Sequence, residues 1–123
     1  MAQIMVTKPI INALLKTPYG STDKVKPDDK KVIARYFLPG SACTWYVLED
    51  SSYFKDKKKL VPNEQRIVFG AATLGYGLEL GPLDLDEIFR QKAMFCHVER
   101  DISVEPLKET LGELRKRYGE EWM

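Results

Sequence analysis

The stretch ARYFLPGSACTWYVLED, residues 34–50, decides how this chain is read. β-Branched and aromatic residues lie on both sides of a Pro-Gly-Ser break, with no helix punctuation. Such a pattern gives two strands joined by a short turn, so residues 32–38 and 43–49 are predicted to form an antiparallel hairpin. Side chains alternate across a strand, so Cys43, Trp45 and Val47 share one face and Thr44, Tyr46 and Leu48 the other. Trp45 and Tyr46 point to opposite sides, and one of them is expected at an exposed patch.

The rings have two uses. Tyr36, Phe37, Trp45 and Tyr46 can stack bases or line a peptide groove. They can also pack across the strands, where aromatic pairs stabilise a sheet by roughly 0.2–1 kcal/mol each. Packing is the favoured reading for the set, with Tyr36, Trp45 and Tyr46 kept as candidate binding residues.

Outward from the hairpin, residues 7–17 read as a helix capped by Thr7, with Ile10, Ile11, Leu14 and Leu15 as its apolar stripe and Pro18 as its stop. Residues 20–31 are a polar loop. Residues 66–74, RIVFGAATL, are a third strand, in which Gly70 marks a bulge or a close backbone approach. A glycine turn and a short fourth strand follow over 75–81. Asp84 and Glu87 match a capping box for a helix over 83–94. Residues 96–104 are extended, and Pro106 opens a last helix carrying Leu107, Leu111, Leu114 and Tyr118, in which Gly112 costs about 1 kcal/mol relative to alanine. The expected fold is α+β: an antiparallel meander of four or five strands flanked by an N-terminal, a middle and a C-terminal helix, in one domain over 1–123.

A chain of 123 residues should bury roughly two thirds of its unfolded surface, enough for one core. Apolar residues make up 44% and charged residues 30%, a globular balance, and a net charge of +1 gives no bulk pull toward nucleic acid or membrane. No run of about 18 apolar residues is present to span a bilayer, and the start does not read as a secretory leader. A cytoplasmic location with reduced thiols is expected, although a bridge between Cys43 and Cys96 stays open on spacing alone.

The run ARYFLPGSACTWYVLE, then Phe69-Gly70, LELG at 78–81, LDLDEI at 83–88 and VERD at 98–101, resembles the domain-of-unknown-function 2958 family over about residues 30–110. The lysine-bearing passage before Phe69 departs from that pattern, as does Pro82 where the family often has an aromatic. The resemblance implies a small cytoplasmic bacterial protein of the kind carried on plasmids, phages or integrated elements. It carries no catalytic residue set, and it suggests a role in host–element conflict such as inhibition of a defence complex.

Three groups have the composition for chemistry. Lys55, Lys57, Lys58 and Lys59 beside Tyr53 and Phe54 suit phosphate contacts with base stacking, and otherwise form a solvated loop. Glu99, Arg100 and Asp101 put two carboxylates on one face of an extended segment, for acid–base work or for a salt bridge that ties the segment to a helix. His97 beside Cys96 and Glu99 tempts a metal reading, but zinc sites need three or four ligands and no second cluster is present. Cys43 and Cys96 are expected to be buried and inert. No phosphate-loop or dinucleotide glycine pattern exists, so no cofactor and no metal is expected. The leading expectation is a non-enzymatic module that binds another protein. The alternatives are a nucleic-acid accessory using residues 53–60, or a cryptic enzyme or metal protein around 97–101.

Overall fold

Strand β1 (Ala34–Phe37) and strand β2 (Thr44–Asp50) form the expected hairpin, with Arg35 opposite Tyr46 and Tyr36 opposite Trp45. The computed structural model of the chain describes residues 3–50 and 67–123. Helix α1 (Lys8–Lys16) precedes the hairpin; β3 (Ile67–Thr73), β4 (Glu79–Asp84), α2 (Leu85–Phe89), β5 (Lys92–Ala93), β6 (Cys96–His97), β7 (Glu99–Arg100) and α3 (Leu111–Arg117) follow. The fold is α+β. The main sheet is antiparallel with strand order β4-β3-β2-β1-β7, and β5 and β6 pair separately.

Every residue of β2 is buried, so both faces of the sheet must be covered. On one face Tyr36, Trp45 and Val47 pack with Ile10, Ile11 and Leu14 of α1 and Leu85 and Ile88 of α2. On the other, Tyr46 and Leu48 pack with Leu78, Leu111 and Leu114, and Trp122 closes the edge. Each large apolar side chain buried here contributes about 1.5–3 kcal/mol. This corrects the expectation that Trp45 or Tyr46 stands at an exposed patch. The alternation is as expected, but each ring meets its own layer of helix.

Helix α1 starts as its sequence requires, with the Thr7 hydroxyl accepting from the Ile10 N–H at 3.4 Å. Its buried stripe uses Ala13, while Leu15 is exposed. Helix α2 is capped by Asp84, which accepts from the N–H groups of Asp86 and Glu87, but it ends at Phe89 and not at residue 94. Tertiary pairing overrides helix propensity there: Lys92 and Ala93 pair with His97 and Cys96, and Ala93 rests on the core. The last helix starts later than Pro106. Leu107 has φ 62°, a left-handed conformation no helix admits, and the capping box is Thr110 with Glu113. Gly112 also has a structural reason. A Cβ at that position would lie 2.9 Å from the Asp28 carbonyl oxygen, so glycine lets α3 dock on the 3-10 turn Pro27–Asp29.

Gly70 is the tightest point of the sheet. A Cβ there would lie 1.9 Å from the Tyr46 carbonyl oxygen. The bulge falls on β2 between Val47 and Glu49, so on β3 glycine serves the close approach. Gly70→Ala is expected to cost roughly 3 kcal/mol or more in urea unfolding, because two central strands must separate. Gly81→Ala, whose Cβ would meet nothing within 4 Å, should change stability by less than about 1 kcal/mol.

Candidate functional site

Among the described residues, buried and half-buried charges meet in three places. On β1, Arg35 is buried and donates from Nη1 to Asp101 Oδ2 at 3.0 Å. Its guanidinium lies 3.6 Å from the centre of the Tyr118 ring, and the Tyr118 hydroxyl donates to the same Asp101 oxygen at 3.0 Å. Arg35 Nε donates to the Tyr46 hydroxyl oxygen at 3.4 Å, and that hydroxyl donates in turn to Glu120. Burial pushes the Asp101 carboxyl up, but hydrogen bonds from Ser103, Tyr118 and Arg35 outweigh it and hold the group below the usual carboxylate range. Burial, reinforced by Glu120, pushes the Tyr46 phenol well above its ordinary value, so it stays a neutral donor.

The second cluster ties the C-terminal tail down. Arg115 donates to both oxygens of Asp28, at 2.8 and 2.7 Å, and the Trp122 indole N–H donates to Asp28 Oδ1 at 2.8 Å. The Arg115 fork lowers the Asp28 pKa to about 2, against a smaller opposing effect of burial and with help from Trp122. The third is Glu49 at the end of β2. It accepts from the N–H groups of Gly20 and Thr22 and from the Thr22 hydroxyl, with Lys30 Nζ 3.7 Å away. Each cluster fastens one chain segment to another, and none leaves a reactive group poised against a second one.

Those residues singled out from sequence that the structure describes do not converge. Tyr36 and Tyr46 are fully buried and Trp45 nearly so, which makes them core residues and not an accessible platform. Tyr36 donates its hydroxyl proton to the Met5 carbonyl oxygen. Glu99 is exposed, Arg100 donates from Nε to the Ile4 carbonyl at 2.9 Å, and Asp101 belongs to the Arg35 cluster. The salt bridge of this segment therefore reaches a strand, not a helix, because β7 lies beside β1. His97 is exposed, and Cys43 and Cys96 are free and half-buried, not fully buried as expected. Among the described residues, no group of three or more His, Cys, Asp or Glu side chains is placed to hold a metal ion. Tyr53, Phe54, Lys55, Lys57, Lys58 and Lys59 lie outside the described residues.

Sequence reasoning missed the exposed apolar surface at the β3–β4 turn. Leu74 is 64% exposed, Tyr76 85% and Met123 69%, with Leu80 partly exposed beside them. The turn is built, not slack. Gly75 and Gly77 take φ 108° and 124°, and the Thr73 hydroxyl accepts from both of their N–H groups, at 3.0 and 3.4 Å. The tail runs alongside, with Leu78 N–H donating to the Glu121 carbonyl at 2.8 Å and Met123 N–H to the Leu78 carbonyl at 3.1 Å. Tyr76 stands between two open clefts. One, of about 380 Å³, is lined by Trp45, Leu74, Leu80, Leu83 and Met123. The other, of about 510 Å³, is lined by Arg35, Thr73, Tyr118, Glu120 and Trp122. The one sequence signal for this surface was LGYG at 74–77, two bulky apolar residues between turn glycines.

The chain matches no family model, no curated protein and no solved structure.

Two outcomes follow from the charge clusters. Arg35→Met should lower stability by about 3 kcal/mol or more, since it strands the Asp101 carboxylate in a half-buried site. Arg90→Met, which removes only the exposed pair with Asp86, should cost less than about 1 kcal/mol in the same denaturation assay. The pH dependence is set partly by Asp28. Its folded pKa lies below its unfolded value near 4, so the stability it contributes is complete above about pH 4 and is lost as pH falls toward 2. Asp28→Asn should be less stable than the parent at pH 7 and show a shallower loss across that window in thermal melts.

Proposed function

We propose that this protein is a non-enzymatic interaction module that holds an extended segment of another protein at the β3–β4 turn and along β4. The observation that carries the reading is the cluster of Leu74, Tyr76, Leu80 and Met123 exposed around one turn, next to β4, an edge strand among the described residues. Scattered apolar residues are ordinary on a surface, but a contiguous set beside an apolar cleft is the usual mark of a partner site. An edge strand offers unpaired backbone donors and acceptors to an added strand. Pro82 removes one donor from β4, which limits indiscriminate pairing and leaves side-chain contacts to select the partner. The pairing of Arg35 with Asp101, Arg115 with Asp28 and Lys30 with Glu49 supports a non-catalytic role, because these cations are engaged in holding the fold.

No described helix is long and apolar enough to cross a membrane. The motif resemblance to the domain-of-unknown-function 2958 family extends the proposal to a cytoplasmic protein of a bacterial mobile element that inhibits a host defence complex. Cross-linking and affinity capture from a bacterial host tests the reading. A specific protein should be recovered with the parent chain and reduced about tenfold or more by Leu74→Asp with Tyr76→Asp. Equal recovery with that double variant, or no protein above background, would refute it.

A further inference from the structure

The turn joining β5 to β6 places Met94 and Phe95 at its tip, 92% and 95% exposed. Met94 holds φ 54°, a left-handed conformation that a residue with a side chain adopts at a cost. The hairpin itself is anchored, since Ala93 packs on the core, so the two side chains project from a fixed base. Directly beside them lies an open groove of about 870 Å³. Met5, Phe89 and Val98 supply its apolar lining, Phe95 forms one wall, and Glu99 lies at its rim. A projecting apolar knob and an apolar groove thus share one surface and one side chain.

We propose that this surface pairs with a second copy of the same chain, the Met94–Phe95 tip of each copy entering the groove of the other about a two-fold axis. Three features favour that occupant. A two-fold contact requires a patch complementary to itself, and a knob adjacent to its own groove satisfies that requirement. Phe95 is both knob and wall, so the exchange brings the two Phe95 rings side by side, an arrangement aromatic pairs favour. The charges are also complementary. Lys92 is exposed on the hairpin and Glu99 is exposed at the groove, and neither has an ion-pair partner among the described residues. The exchange sets Lys92 of one copy toward Glu99 of the other. This interface uses residues separate from those of the β3–β4 surface, so it stands or falls independently of the proposed function.

Sedimentation equilibrium of the full chain, over a series reaching about 1 mM, tests the proposal. The parent should approach twice its 14.1 kDa mass. Phe95→Asp should raise the dimer dissociation constant about tenfold or more, with an unchanged circular dichroism spectrum and melt because the ring is 95% exposed. Lys92→Glu should weaken the dimer several-fold, and Lys92→Glu with Glu99→Lys should restore it. A parent that stays monomeric throughout overturns the proposal, and so does a dimer indifferent to Phe95→Asp. A charge swap that fails to restore the Lys92→Glu loss overturns the two-fold arrangement argued here. A monomer that instead binds a different protein or a vesicle through Phe95 would also overturn it, by assigning the tip another occupant.

Discussion

The fold depends on one constraint: β2 has no solvent face. All seven of its residues are buried, and its side chains alternate between two hydrophobic layers. A strand like this cannot rest in a half-solvated antiparallel sheet, so helices must cover both sides. Helices α1 and α2 meet that need on the Trp45 side, and α3 with the tail on the Tyr46 side. The buried end of the strand then imposes a polar demand. Glu49 is almost fully buried and would be costly without partners, and the loop from Gly20 to Lys30 folds over it to supply them. The Asp50 N–H donates to the Thr17 carbonyl at 2.8 Å, so the end of α1 is fastened to the same point.

What the sequence disclosed was set by local periodicity and turn chemistry. Trp45 and Tyr46 alternate as read, Thr7 and Asp84 cap as read, and Gly70 makes the close approach its place in a strand implied. Several of the differences concern signals that only tertiary partners resolve. Nothing local to residues 85–94 ends α2 at Phe89; the pairing of Lys92 with His97 does. Pro106 resembles a helix start, yet Leu107 turns left-handed and Thr110 with Glu113 provides the cap. Thr110 lies four residues beyond Pro106, and its T-x-x-E spacing to Glu113 is the local signal that marks the true start. Arg35 sat unremarked among the rings because its burial depends on Asp101 and Tyr118, far away in sequence.

The polar interior is engaged in holding the fold. Arg35, Arg115 and Lys30 are each within ion-pair distance of one carboxylate and are oriented by further hydrogen bonds. Satisfied buried pairs do not add much stability over an apolar core, but removing either member is severe, so they specify which segments meet. In this protein they join β1 to the segment after β7, the 3-10 turn to α3, and the loop after α1 to β2. A cation used in this way is an anchor between distant parts of the chain, with its hydrogen-bonding capacity directed inward.

Among the described residues, two exposed apolar groups stand on turns that hydrogen bonds and packing hold in place. Leu74 and Tyr76 ride on a turn fixed by the Thr73 hydroxyl and by the tail paired at Leu78, and Met94 and Phe95 ride on a hairpin anchored by Ala93. Binding costs roughly 0.5–1.5 kcal/mol for each side chain that must be immobilised, so a surface already held in position loses less on association. A slack loop carrying the same residues would fold them back against the nearest apolar surface and hide them. Here positive-φ backbone at Gly75, Gly77 and Met94 turns the chain outward instead. Of these three only Met94 stores strain, since glycine adopts positive φ freely, and that cost is compatible with the interaction role proposed above.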